Sequence, residues 1–185
     1  MKRWIVWIWM VLLLSGCTKA ENAMDRALAL RSGVQANGCS FRAKITADYG
    51  ETIFTFTLLC CADGQGNVGF SVLEPESISG ITGKIDSGTG NLTFDDVVLS
   101  FALLADGQLT PVSMPWVVVN ALRSGYIVSA GKEGDHTRLT VKDTYAADAL
   151  RVDLWLDDAD IPVQAEVAWQ DRRILTMEIQ NFTLA

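Results

Sequence analysis

The chain has 185 residues, 49% of them hydrophobic, with 15 Lys and Arg against 22 Asp and Glu, a net charge of −7, four Cys and a single His. So acidic a chain presents no basic face to nucleic acid or to anionic lipid. No Pro/Ser-rich linker, internal repeat or low-complexity tract divides it, and its length suits one domain with one substantial core.

Lys2 and Arg3 precede an unbroken apolar run from Trp4 to Leu14. The run is shorter than the roughly 20 residues of a permanent membrane-spanning helix, and it suits the core of a signal peptide. Leu14-Ser15-Gly16-Cys17 follows and resembles the bacterial lipobox, in which the Cys thiol is alkylated by a diacylglycerol and becomes the mature N-terminus. On that reading residues 1–16 are a lipoprotein signal peptide and Cys17 is the lipidation site; the alternative is a plain secretory signal with a chance Cys. Two or more acyl chains, palmitate among them, at about 0.8 kcal/mol per buried methylene hold a protein on a membrane far longer than one chain does. Removing Lys2 and Arg3 with the signal takes the net charge from −7 to −9. The acyl group rather than charge then holds the protein on the extracytoplasmic side of a bacterial membrane.

Residues 17–23 read as a polar tether before a single domain, 24–185. A helix is expected over Glu21 to Gln35, with Met24, Leu28 and Val34 on one side, Ala27 and Leu30 beside them, and Gly38 as its stop. From Cys39 the period becomes two: Cys39, Phe41, Ala43, Ile45 and Ala47 alternate with polar residues as far as Asp48. Tyr49-Gly50-Glu51 turns this strand into a second, Thr52 to Cys61, with Phe54, Phe56, Leu58 and Cys60 on one face. A Tyr49-Gly50 loop would set Asp48 opposite Glu51 and Cys39 opposite Cys60. Cys39 and Cys60 are therefore the disulfide candidate in an oxidising compartment, and Cys61 points the other way. A third strand, Val68 to Leu73, ends at Glu74-Pro75 because Pro cannot donate to a ladder. Strands at Ile78–Ile85, Asn91–Asp95 and Val97–Leu104 continue a meander. Ser113, Pro115 and the run Trp116–Leu122, closed by Arg123-Ser124-Gly125, mark an inserted helix despite three Val residues. Tyr126–Ala130, His136–Lys142, Leu150–Asp157, Pro162–Gln170 and Arg173–Thr183 complete about eleven strands.

The order of a helix, a long first hairpin opening with Phe41, a strand ending Phe70-Ser71-Val72-Leu73-Glu74-Pro75, a mid-chain helix, Asp157 to Pro162 with Val163-Gln164-Ala165-Glu166, and a terminal Ile179-Gln180-Asn181-Phe182 resembles the lipoprotein-localisation (LolA/LolB-like) family. The resemblance implies a mainly β fold (α+β): a half-open antiparallel barrel with the N-terminal and inserted helices over its mouth and an interior that binds acyl chains. Soluble carriers of that family have an Arg directly before the Pro that ends the third strand, thought to hold the helical lid; here Glu74 precedes Pro75, and Ser77, Ile78 and Ser79 follow. A lipidated member is more like the membrane-bound receptor, or like lipoprotein relatives in spore-forming Gram-positive bacteria, some serving germination.

The sequence carries no recognisable catalytic constellation and implies no cofactor. His136 has no Ser, Cys or metal-ligand partner at a familiar spacing. Asp157, Asp158 and Asp160 lack the ordered spacing of a calcium loop and precede Pro162, which favours a turn. Gly64-Gln65-Gly66 opens no helix and is no phosphate loop. Aromatic strand positions Phe41, Phe54, Phe56, Phe70 and Trp169 are either ordinary core or a cavity lining. Taken as a lining, they join Ile45, Val72, Trp116, Leu154, Val167 and Met177 beneath helices carrying Leu28 and Trp116. Two function classes follow: a lipoprotein that binds an acyl chain or lipoprotein anchor, or a membrane-tethered protein whose interior is closed and whose partner is another envelope protein.

If Cys17 carries the anchor, Cys17→Ser yields protein that is uncleaved or released, with an unaltered folded domain. Fractionation after a high-salt wash checks this; retention of the variant on membranes refutes the lipobox.

Overall fold

The computed structural model describes residues 18–185, apart from Tyr49, Glu51, 87–88, 95–96, 103, 106–107, 147–148 and 171; for 18–22, 92, 94, 97–102, 104–105 and 108–109 it describes the main chain only. Residues 1–17, where the signal peptide and the lipidation site Cys17 are expected, lie outside the described residues.

Helix α1 (Thr18–Asn37) leads into strands β1 (Cys39–Asp48), β2 (Ile53–Ala62), β3 (Val68–Glu74), β4 (Thr82–Asp86), β5 (Thr89–Phe94) and β6 (Val97–Ala102). A short ribbon, β7 (Leu104–Ala105) with β8 (Gln108–Leu109), precedes helix α2 (Met114–Ser124). Strands β9 (Tyr126–Glu133), β10 (His136–Lys142), β11 (Arg151–Leu156), β12 (Pro162–Trp169) and β13 (Arg172–Leu184) finish the chain. Eleven strands form one antiparallel sheet in the order β6-β5-β4-β3-β2-β1-β13-β12-β11-β10-β9. The last strand pairs with the first, so two meanders join side by side at the centre. The sheet is open, with β6 and β9 as its edges. This is the half-open architecture expected, with the ribbon added and with a 3₁₀ turn at Glu76–Ile78, after which β4 starts at Thr82 rather than at Ile78. Among the described residues no helix is long and apolar enough to cross a membrane.

Alternation sorts the side chains. Odd positions of β1 and even positions of β2 are buried on one face, and the register carries that face across the sheet in apolar rows. One row runs Phe56, Ile45, Met177, Ala165, Leu154, Leu139, Ala130; the next runs Phe54, Ala47, Leu175, Val167, Val152, Val141, Ile127. These rows and both helices make a single core. Where Phe70 faces Gly83 across β3 and β4, a Cβ on Gly83 would lie 2.3 Å from the Phe70 ring, so the missing side chain is what lets the ring lie over the neighbouring strand.

Three expectations are corrected. The first is the tether: α1 begins at Thr18, because Thr18 to Ala23 contain neither Gly nor Pro and the helix propagates through them. The second is its buried face, which carries Ala23, Ala27, Leu30 and Val34, spaced four, three and four; Leu28 lies off that stripe and is 44% exposed. The helix ends as expected at Gly38, whose φ of +77° favours Gly, and whose amide donates to Val34 O at 2.9 Å.

The third correction is the β1–β2 register. Asp48 pairs with Ile53, not Glu51, because the loop is four residues long and the Asp48 carboxylate accepts the Gly50 amide at 2.8 Å. Every pair shifts by two: Cys39 faces Ala62 and Cys60 faces Phe41. A shift of two leaves each side chain on its face, so the burial pattern was right although the partners were not. It does make Cys39 and Cys60 diagonal neighbours, at about 7–8 Å, beyond the usual Cα span of a disulfide. Among the described residues Cys39, Cys60 and Cys61 are free thiols.

Burial pushes the Cys39 thiol up to about 12, with Cys61 nearby adding to it, and pushes Cys60 higher still. A thiolate is the reactive form, and both groups stay protonated well above neutral pH. Brief maleimide labelling of the native protein at pH 8 should therefore modify exposed Cys61 and spare Cys39 and Cys60, which react only in denaturant. Recovery of a Cys39–Cys60 disulfide by peptide mapping contradicts this register.

Candidate ligand-binding site

The apolar face of the sheet and the two helices packed on it bring together most of the residues expected to line a site. Seven of the expected lining residues, Phe41, Ile45, Phe70, Val72, Leu154, Val167 and Met177, are buried in the common core. Phe56 and Trp116 are half-buried against it. Phe54, opposite Ala47, stays on the same face but is 45% exposed, and its ring stacks on Phe56 at 6.4 Å. Trp169 is the exception. At a register slip between Val167 and Ala168 two successive residues are buried and the alternation reverses, which leaves Trp169 exposed beside Arg172.

Helix α2 covers this face with Met114, Val117, Val118, Val119, Ala121 and Leu122, all buried. Val is a poor helix former, and the burial of three in succession outweighs the few tenths of a kcal/mol that each costs in propensity. Ser113 and Pro115 open the helix as expected, and Gly125 closes it, its amide donating to Ala121 O at 2.9 Å. Close contact of Gly125 with Val141 seats this end on β10.

Nothing in the residue pattern signals what joins the two helices. Arg31 of α1 donates from Nε to Leu122 O at 2.7 Å and from NH2 to Gly125 O at 2.7 Å and Ala121 O at 3.5 Å. Gln35, one turn on, donates to Arg123 O at 2.7 Å. Four carbonyls at and just beyond the end of α2, of which Ala121 O also accepts the Gly125 amide, are thus met by side chains of α1, and a cation sits at the negative end of the helix dipole. Burial holds the Arg31 guanidinium below its ordinary value. Arg26, earlier on α1, forms an ion pair with Asp160 and reaches Asp157 O at 3.4 Å, tying the helix to the β11–β12 loop. At the other side Asn120 of α2 donates to Gly66 O at 3.1 Å in the β2–β3 turn.

The candidates for other chemistry take structural places. Asp157 Oδ1 accepts the amides of Ala159 and Ile161, both at 2.9 Å, while Asp158 pairs with Lys132 at 3.1 Å and Asp160 with Arg26. The three carboxylates thus serve a turn and two separate cations. Asp63 likewise organises its turn: burial would raise its carboxyl, but hydrogen bonds from Asn67, Gln65 and Gly66 outweigh that and hold it below the ordinary range. His136 opens β10 opposite Glu133. Glu74, standing where soluble carriers have Arg, accepts the Thr57 hydroxyl at 2.5 Å and is joined to Pro75 by a cis peptide bond.

Arg31→Ala removes the donors to three carbonyls and should lower unfolding stability by about 2–3 kcal/mol; Gln35→Ala, at an exposed bond, should cost under about 1 kcal/mol. Chemical denaturation of the two variants against wild type measures both. Equal, small losses would show that α2 does not depend on Arg31.

No family model and no curated protein matches the chain in sequence. Among solved structures it is similar to a DUF1329 family protein from Desulfovibrio piger, with a TM-score of 0.50 and 7% identity over 90% of this chain and 93% of that one. A putative outer membrane lipoprotein-sorting protein domain from Vibrio parahaemolyticus gives 0.47 and 10% over 88% and 92%, and a LolA superfamily protein from Nitrosomonas europaea 0.44 and 11% over 86% and 93%. At these identities the likeness is one of fold: an open antiparallel sheet with two helices on its apolar face, as in the DUF1329 family protein.

Proposed function

We propose that this chain is an envelope lipoprotein, anchored through Cys17, that receives an acyl chain or the acylated end of a lipoprotein between its sheet and its helices. The observation that carries the reading is the pair of apolar rows crossing seven strands beneath α1 and α2, ending at Phe54 and Phe56, where the face opens to solvent. Acyl chains need no directed hydrogen bonds, so such a face binds by buried area, about 25 cal/mol per Å² before association costs, and selects loosely. The protein acts as a binding protein, not an enzyme, with its ligand and the membrane as partners.

A second reading rests on the closeness of the packing. Ile45, Leu154, Val167 and Met177 are each 0% exposed, as in a filled core. A closed interior would make the domain a tethered partner or stabiliser of another envelope protein, as in spore germination.

Lipid extraction and native mass spectrometry of the purified protein separate the two: a copurifying acyl ligand supports the first, and a ligand-free protein that takes up no fatty-acid probe supports the second. Under the first reading Phe54→Glu weakens a fluorescent fatty acid by about tenfold while changing the melting temperature little, since the ring is half-exposed. Unchanged affinity in that variant removes Phe54 from the site.

A further inference from the structure

Four polar side chains are buried among the described residues: Thr57, Ser113, Thr137 and Asp153. Three have partners. Thr57 donates to Glu74, Ser113 donates to Thr110 O at 2.5 Å, and Asp153 accepts from Thr140 at 2.6 Å and pairs with Arg138 and Arg151 at 3.0 and 3.2 Å. Thr137 is 1% exposed, and its Oγ1 has no hydrogen-bond partner.

Its place is specific. Thr137 shares a face of β10 with Leu139 and Val141, the face turned to the core, and lies directly between Leu156 of β11 and Lys132 of β9, whose exposed ammonium is paired with Asp158. A Val would have the same shape there without the cost of an unmatched hydroxyl. The other buried side-chain atom without a partner, Arg123 Nε, sits against Gly66 in the β2–β3 turn. What fits a buried, unmatched hydroxyl at the border of an apolar face is a molecule with one acceptor and a hydrocarbon body.

We propose that Thr137 Oγ1 donates to the carbonyl or carboxyl oxygen of a bound acyl ligand, and so sets a preference for acyl compounds over plain hydrocarbon. The proposal rests on the acyl-binding reading above. It locates the polar end of the ligand near the start of β10, by the β11–β12 loop that Arg26 ties to α1, with the tail lying along the rows toward Phe56. Free fatty acids and ester-linked lipids share the carbonyl, and the experiment distinguishes them.

The test uses protein expressed from the whole chain, as wild type, Thr137→Val and Thr137→Ser, titrated with a fluorescent fatty acid, its methyl ester and the hydrocarbon diphenylhexatriene, with a melting curve for each variant. Thr137→Val should weaken the fatty acid about three- to tenfold, leave diphenylhexatriene unchanged and melt no lower than wild type; Thr137→Ser should restore fatty-acid affinity. Equal weakening of the ester identifies the carbonyl as the group bound, whereas weakening of the acid alone identifies the free carboxyl; either supports the assignment. Unchanged fatty-acid affinity in Thr137→Val, a parallel loss for the hydrocarbon, or a lowered melting temperature that Ser restores would overturn it, the last by showing that the hydroxyl already has a partner within the fold. Wild type that binds none of the three probes instead defeats the acyl-binding reading itself.

Discussion

The contact on which the arrangement depends is the grip of α1 on the carboxyl end of α2. An open sheet with one apolar face has to be covered, and neither helix could do so alone. Helix α1 packs on β9 and on α2, touching β13, while α2 spans toward β2 and β10. Arg31 and Gln35 turn these two elements into one cover by meeting the main-chain carbonyls that the end of α2 leaves over. Helix-terminal carbonyls in a partly buried place are costly unless matched, so this joint fixes the relative position of the helices more firmly than apolar packing, which tolerates sliding.

Much of this was legible in the sequence because alternation and helical spacing report burial directly. The first hairpin, the inserted helix with its Ser113 start and Gly125 end, and β10 could be read to within a residue or two. Register was harder, since hydrophobic pattern constrains it only modulo two: Cys39 opposite Cys60 and Cys39 opposite Ala62 both keep the same faces inward. Trp169 failed for a different reason. The register slips where Ile174 of β13 is left without a partner between Leu175 and Arg173, and the pattern of Val163, Ala165 and Val167 in β12 carries no mark of it, although beyond it Ala168 is buried and Trp169 exposed. Arg31 was invisible because its partners are main-chain atoms some 90 residues away, and no side-chain type signals where a distant helix ends. The apolar character of the candidate site was readable; the lone hydroxyl of Thr137 was not, since alternating Thr is ordinary in strands.

The outer face of the sheet is organised on opposite principles. Asp153, almost fully buried between Arg138 and Arg151, also accepts from Thr140, and the Arg138 guanidinium lies 5.3 Å from the Trp155 ring centre while bonding Glu133 at 3.2 Å. Two cations and a hydroxyl compensate one desolvated carboxylate, an arrangement in which removing a single member costs more than replacing all of them. It holds β9, β10 and β11 together through side chains.

Holding β9 matters because an unclosed sheet ends in a strand whose outward main-chain groups can recruit another chain. Here the register of β9 shifts between Thr140 and Val141 of its neighbour, which kinks the strand, and its far end carries Lys132 and Glu133, engaged with Asp158 and Arg138. A kinked, charged border with a helix packed against it is a poor template for strand addition. The fold can therefore leave its sheet unclosed without inviting fibrous self-association at that border.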